Sequence, residues 1–393
     1  MSISVEKYAL VLSGGGVRAT VFHLGLLLRL AVEDRLRKVA ILSTVSGGSL
    51  AVALVFSNAG LRWPSSDSFI EKVLPQARVL LTERSLQGKT LLRTIVRPWS
   101  LLGSRGKLFA DALEDCWEIR GTMKDLDETP QWFINSTCYE TGRNWRFSQR
   151  HIGDWKFGHN FQQTVPISIA VAASAAIPYL AGMIRLGIEP DGWYNINPAT
   201  DEPVRPVKPM STTVRLWDGG VYENLGVEPV YKPQRGFVDK NIDSLIVSDA
   251  SAYLREDLGP ASGVFSSQFP FLRPPRLFDI ATEQSRALRT RLIMEAITSG
   301  RIRGVLVRLG RSVEYIDNQA GTTHENTNPS AFLDTENVIR VANYATNASQ
   351  MEAAEFETIL RHGFETADAT LVGYRFPEFS HHILWGEIVG RVP

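Results

Sequence analysis

Tyr8-Ala9-Leu10-Val11-Leu12-Ser13-Gly14-Gly15-Gly16-Val17-Arg18 passes from a five-residue apolar run straight into three consecutive glycines. An apolar run of that length, closed by a turn signal, reads as a strand buried on both faces of a parallel sheet. A helix should follow, because Phe22, Leu26 and Leu30 recur at spacing four with Leu27 beside them and so present one apolar face. The pattern then repeats. Residues 39–45 read as a second strand and 49–56 as a second helix, joined by the tight Thr44-Val45-Ser46-Gly47-Gly48-Ser49. Strand, tight loop and helix, twice over, predict right-handed crossovers and an α/β fold with three α/β/α layers around a mostly parallel central sheet.

Beyond this repeat the alternation is lost. Residues 60–130 read as helical pieces, including 107–119, punctuated by Pro64, Pro75 and Pro98, and are expected to be a helical insertion covering one end of the sheet. Residues 132–137 and 145–147 look like strands joined by a Thr-Gly-Arg-Asn turn. Pro166 should start an Ala-rich helix that runs to Pro178, where the ring forbids continuation. Residues 187–209 hold several prolines and read as a loop. Strands are expected at 213–217 and 244–247, and helices at 276–298, 336–345 and 352–371, the last opened by a Ser349/Glu352 capping box. The whole, 1–393, reads as a single catalytic domain whose 250–393 segment is mainly helical.

The 393 residues are 44% apolar, enough to bury a large core, and Lys plus Arg equals Asp plus Glu at 42 each. No global field therefore recruits nucleic acid, and nucleic acid is not an expected partner. Cys116 and Cys138 have neither a disulfide framework nor metal-ligand spacing, so no metal and no cofactor is expected. The first strand begins too early to leave room for a signal peptide, which points to the cytoplasm. The uncharged stretches 39–61 and 164–184 pass a length filter for membrane spans, but serines, glycines and prolines interrupt them and they read as buried core.

Three glycine-marked turns carry the chemistry. A serine at a sharp strand-to-helix turn, as at Ser46, is pushed outward while the amides of the next helix point at the same spot. Gly48 fills one glycine position of the G-x-S-x-G pattern and Thr44 occupies the other. Gly14, Gly15 and Gly16 at the mouth of a helix leave backbone amides open to a developing oxyanion, with Arg18 adding a cation nearby. The same loop could cradle a phosphate, but no Gly-Lys-Ser/Thr follows, and Ala19 sits where a dinucleotide loop needs its third glycine. Asp218, followed by Gly219 and Gly220, ends a strand at the carboxyl edge, where parallel sheets place their sites. As a plain Asp-Gly turn it would have no role, whereas as a base it could take the serine proton directly.

Gly14-Gly15-Gly16-Val17-Arg18, Val45-Ser46-Gly47-Gly48-Ser49 and Asp218-Gly219-Gly220, taken in order, resemble the patatin-like phospholipase family. Ala173-Ser174-Ala175-Ala176-Ile177-Pro178 is similar to that family's small-residue segment ending in proline. The resemblance spans roughly residues 8 to 250. It implies Ser46 as nucleophile, Asp218 as sole base, and an oxyanion hole from Gly14, Gly15, Gly16 and Arg18, with Gly48, Gly219 and Gly220 supporting the two turns. The implied activity is metal-free hydrolysis of acyl esters of lipids, usually phospholipids, of phospholipase A type. Thr44 and Ala19 depart from the pattern, each by a small residue.

Rival readings remain open at this point. A Ser-Asp-His triad would draw on His324, His362, His381 or His382, all after Asp218, while His23 reads as a packed or capping residue. A serine esterase or thioesterase acting on soluble substrates, and a non-catalytic phosphate- or lipid-binding module, are the other classes. The lipid reading expects a phospholipid or other lipid ester at a membrane surface, met peripherally. The aromatic stretch 262–272 would dip into a bilayer, roof the active site or pack into the core, and Arg286, Arg289, Arg291, Arg301 and Arg303 would either contact anionic lipid or simply face water. Sparing the cell's own membrane would require restraint by a ligand, a partner or a homo-oligomer.

Overall fold

The computed structural model describes residues 6–86, 105–176, 182–198, 200–251, 274–322, 331–345 and 349–391. Among them, twelve strands form one mixed sheet. They are β1 (Tyr8–Leu12), β2 (Val39–Val45), β3 (Gln131–Cys138), β4 (Asn144–Phe147), β5 (Ile152–Asp154) and β6 (Gly158–Asn160). The others are β7 (Ile184–Gly187), β8 (Trp193–Ile196), β9 (Pro203–Pro206), β10 (Thr213–Asp218), β11 (Ser244–Asp249) and β12 (Arg303–Arg308). The centre, in the order β12-β11-β1-β2-β3, is parallel throughout. From β3 outward, β4, β5, β6, β8 and β9 continue antiparallel.

Strand β1 shows why the centre must be covered on both faces. Tyr8, Leu10 and Leu12 join one apolar cluster while Ala9 and Val11 join the other, as a period-two backbone requires. The first cluster is filled by helices α1 (Gly16–Val32) and α2 (Gly47–Asn58) together with the C-terminal helix Ala353–Gly373. The second takes Ile293 and Ala296 from the long helix Pro274–Thr298. These are the three layers of the expected α/β/α architecture, and the C-terminal region is helical. Residues 60–130 contain α3 (Leu74–Glu83) and α4 (Arg105–Cys116). The longer helices beyond these are α5 (Ile167–Ser174), α6 (Pro274–Thr298), α7 (Val313–Ala320), α8 (Thr335–Asn343) and α9 (Ala353–Gly373).

Several local expectations are corrected. The segment read as a loop at 187–209 carries β8 and β9, whose prolines sit at the ends of an exposed, outermost strand where a missing N–H costs no ladder bond. Helix α5 stops at Ser174, short of Pro178. Helix α9 has Glu352 at its N-cap position with no side-chain cap bond, in place of the expected box opened by Ser349. The two uncharged stretches are broken into strand, turn and buried helix, and no helix among the described residues is long and apolar enough to cross a membrane. The aromatic stretch 262–272 and His324 lie outside the described residues.

Candidate active site

Strand β3 brings the two candidate reacting residues together. Along one edge it pairs first with β2, parallel, up to Val45 opposite Asn135. The next residue, Ser136, pairs with Asp218, the last residue of antiparallel β10. The other edge of the same residues is taken by β4. Thus β2 and β10 abut end to end on consecutive residues of β3, and Ser46 and Asp218 are the groups at the seam. The seam is stitched by the Thr137 hydroxyl, which donates to the Asp218 carbonyl at 2.8 Å, and by the Ser136 hydroxyl, which donates to the Trp217 carbonyl at 2.7 Å. Gly219 is required there: a Cβ would lie 2.5 Å from the Asn135 carbonyl oxygen.

Ser46 has φ 49° and ψ −113°, a conformation that L-residues rarely hold, directly before α2. Such strain persists only where the surroundings enforce it. Here the Ser46 amide donates to the Ser174 hydroxyl at 2.9 Å. Ser174 in turn bonds Ser49, Ser49 bonds Thr44, and Thr44 accepts from the Trp132 indole N–H. Thr44, which departs from the expected glycine, is therefore a member of the buried polar chain behind the nucleophile candidate.

Asp218 is buried, with Oδ1 accepting from the Gly220 amide at 2.7 Å. Burial pushes its carboxyl up to about 7, against the opposing effects of the Gly220 amide and the Ser46 hydroxyl. Its Oδ2 makes no hydrogen bond of ordinary geometry.

The glycine loop lies against the same seam. A Cβ at Gly14 would fall 3.1 Å from Cβ of Ser46. The Gly14 amide itself donates to the Asn224 carbonyl at 3.1 Å, so the open amides are those beginning at Gly15 and Gly16, ahead of the ladder of α1. Arg18 corrects an expectation. Its guanidinium turns to the carbonyls of Ala342 and Tyr344, both at 2.8 Å, and of Ala250 at 3.3 Å, so it braces the loop from behind and does not face the serine.

His23 is a second brace: one ring nitrogen meets the Ser13 carbonyl at 3.0 Å, the other the Ser248 hydroxyl at 2.9 Å, and burial lowers its pKa to about 4. The neutral ring donates to Ser13 and accepts from Ser248. Of the histidines proposed for a triad, His362 accepts from the Gly310 amide, His382 bonds Asp368 and His381 faces Glu33; none of these bonds reaches Asp218. Arg286 is buried against Asp249 and Glu283, and Arg289, Arg301 and Arg303 each face a carboxylate. Among the described residues, no group of three or more His, Cys, Asp or Glu could hold a metal ion.

Sequence reasoning missed Ser174 and Asn224. Ser174 lay inside a quoted small-residue segment but had no assigned role. Asn224 carries no motif signal, yet its carbonyl holds Gly14 and its amide donates to Ser251.

The family model for patatin-like phospholipase matches residues 10–231. No curated protein sequence matches the chain significantly. Among solved structures, human GIVD cytosolic phospholipase A2 superimposes with a TM-score of 0.52 at 13% identity, covering 93% of this chain and 61% of that one. The same human enzyme in complex with methyl gamma-linolenyl fluorophosphonate gives 0.50 at 15% identity, covering 93% and 57%. The chain thus spans about three fifths of the length of these structural relatives, and at such identity the likeness is one of fold. With the family model covering more than half of its length, the chain belongs to the patatin-like phospholipase family.

Proposed function

We propose that the chain is a lipid acyl hydrolase of phospholipase A type, with Ser46 as nucleophile and Asp218 as its only base. The observation that carries this reading is the end-to-end meeting of β2 and β10 on β3, which puts a hydroxyl and a neutral-range carboxyl at one seam. Asp218 takes the Ser46 proton as the hydroxyl oxygen attacks the ester carbonyl. The amides of Gly15 and Gly16 receive the oxyanion. Protonated Asp218 then gives its proton to the departing alcohol, leaving an acyl-serine. A water, deprotonated by the same carboxylate, cleaves that ester and frees the fatty acid and the serine. A carboxyl with a pKa near 7 suits both directions of transfer at neutral pH.

A lipid substrate follows from family membership, and its place at a membrane surface and a peripheral cytoplasmic setting belong to the same proposal. So does restraint by a ligand, partner or second copy. The decisive measurement compares wild type and Ser46→Ala on phosphatidylcholine vesicles and on a short-chain monomeric ester, together with fluorophosphonate labelling. Hydrolysis should fall by on the order of 10⁴-fold or more and labelling should vanish. Unchanged hydrolysis in the variant would end the reading, and a wild type active only on the monomeric ester would move it to a soluble esterase.

A further inference from the structure

Strand β12 is the outermost strand of the parallel end of the sheet among the described residues. Between it, α6, α7 and the end of α9 lies a cavity of about 220 Å³. It sits three strands from β2, roughly 14 Å at the usual strand spacing, so it is separate from the seam at Ser46.

We infer that this cavity binds a single-chain amphiphile with an anionic head group, specifically a fatty-acid carboxylate. Its walls are apolar, from Met294 and Ile297 of α6, Val305 of β12 and Ile316 of α7. Two guanidiniums, Arg308 and Arg311, line it and no carboxylate does. Arg308 is shared with Asp249, whose oxygen stands 3.3 Å from both Nε and Nη2. Arg311 is held over the Tyr315 ring at 4.2 Å from its centroid, which fixes a cation at the cavity without neutralising it. An apolar body beside positive charge, with no acid to repel an anion, selects a tail and a negative head together. The binding inference stands on the cavity alone; the choice of carboxylate rests on the proposed ester hydrolysis, which releases one.

The test uses the Ser46→Ala chain, so that binding is read without turnover, and titrates dodecanoate and dodecanol by calorimetry. Dodecanoate should bind saturably at one site per chain, with dodecanol about tenfold weaker or more. Arg311→Gln should weaken dodecanoate by about the same factor. Gln319→Trp, an exposed lining position where a large side chain closes the mouth without touching the core, should abolish binding. Equal affinity for the alcohol, no saturable binding, or dodecanoate affinity unmoved by both substitutions would each overturn the inference. A wild-type chain that hydrolyses no ester would sink the dyad and leave this result untouched.

Discussion

At Asp218 the requirements of the proposed catalysis and of folding pull in opposite directions. An unfolded aspartate titrates near 4, whereas the buried one holds its proton up to about 7. The folded chain therefore binds more protons than the unfolded one between these values, and stability falls as pH rises from about 4 through 7. Fully ionised, this carboxylate costs on the order of 4 kcal/mol. Asp218→Asn should accordingly melt at a higher temperature than wild type at pH 8, with the gap shrinking towards pH 4, while hydrolysis falls by about 10³-fold or more. Melting curves across that range check the first half; a gap independent of pH would contradict it. The activity of wild type should follow the ionised carboxylate, with kcat/KM rising through an apparent pKa of about 7 and levelling above it.

At the scale of elements, the candidate site is a junction of strand ends, held by residues behind the seam. Ser174→Ala leaves the Ser46 amide without its acceptor and breaks the chain through Ser49 and Thr44. The expected outcome is a loss of about 1–3 kcal/mol in denaturant titrations and a lower kcat with little change in KM, since the strained turn loses its brace. Gly219→Ala should destabilise at least as much, because its Cβ meets backbone at 2.5 Å, whereas Gly187→Ala, with open space around it, should stay within about 0.5 kcal/mol of wild type. This also explains what the sequence could and could not reveal. The parallel units were legible because β1 and β2 are continuous apolar runs ending in glycine turns. Of the antiparallel extension only its first strand, β4, was legible: β5 and β6 are three residues each, and β9 is bounded by prolines, so none of these shows the periodicity that marks a strand. Ser46 and Asp218 stand out in the sequence as candidates through their glycine-marked turns, whereas Ser174 and Asn224 act through backbone contacts made only on folding.

At the scale of the whole molecule, the C-terminal helix is bound to the first unit of the fold. Helices α1 and α9 cross where Gly25 faces Gly363, so closely that a Cβ on Gly25 would lie 2.2 Å from the Leu360 carbonyl oxygen and one on Gly363 2.2 Å from that of Phe22. The crossing is reinforced by buried Arg29, which donates to Asp368 at 2.6 Å, and by Phe22 against the His362 ring. Since α1 begins at the glycine loop and Arg18 on it reaches carbonyls at the end of α8 and just beyond it, the loop's position depends on segments more than 300 residues away. Gly363→Val cannot be absorbed by a side-chain rotation, because backbone stands on both sides, and it should cost about 3 kcal/mol or more and sharply reduce soluble yield. Arg18→Met isolates the functional half of the argument: it removes three carbonyl contacts without touching the seam. It should lower both the melting temperature and kcat, with fluorophosphonate labelling slowed but not abolished. Labelling at the wild-type rate in a destabilised Arg18→Met chain would show that the brace holds the fold and leaves the loop's catalytic geometry unaffected.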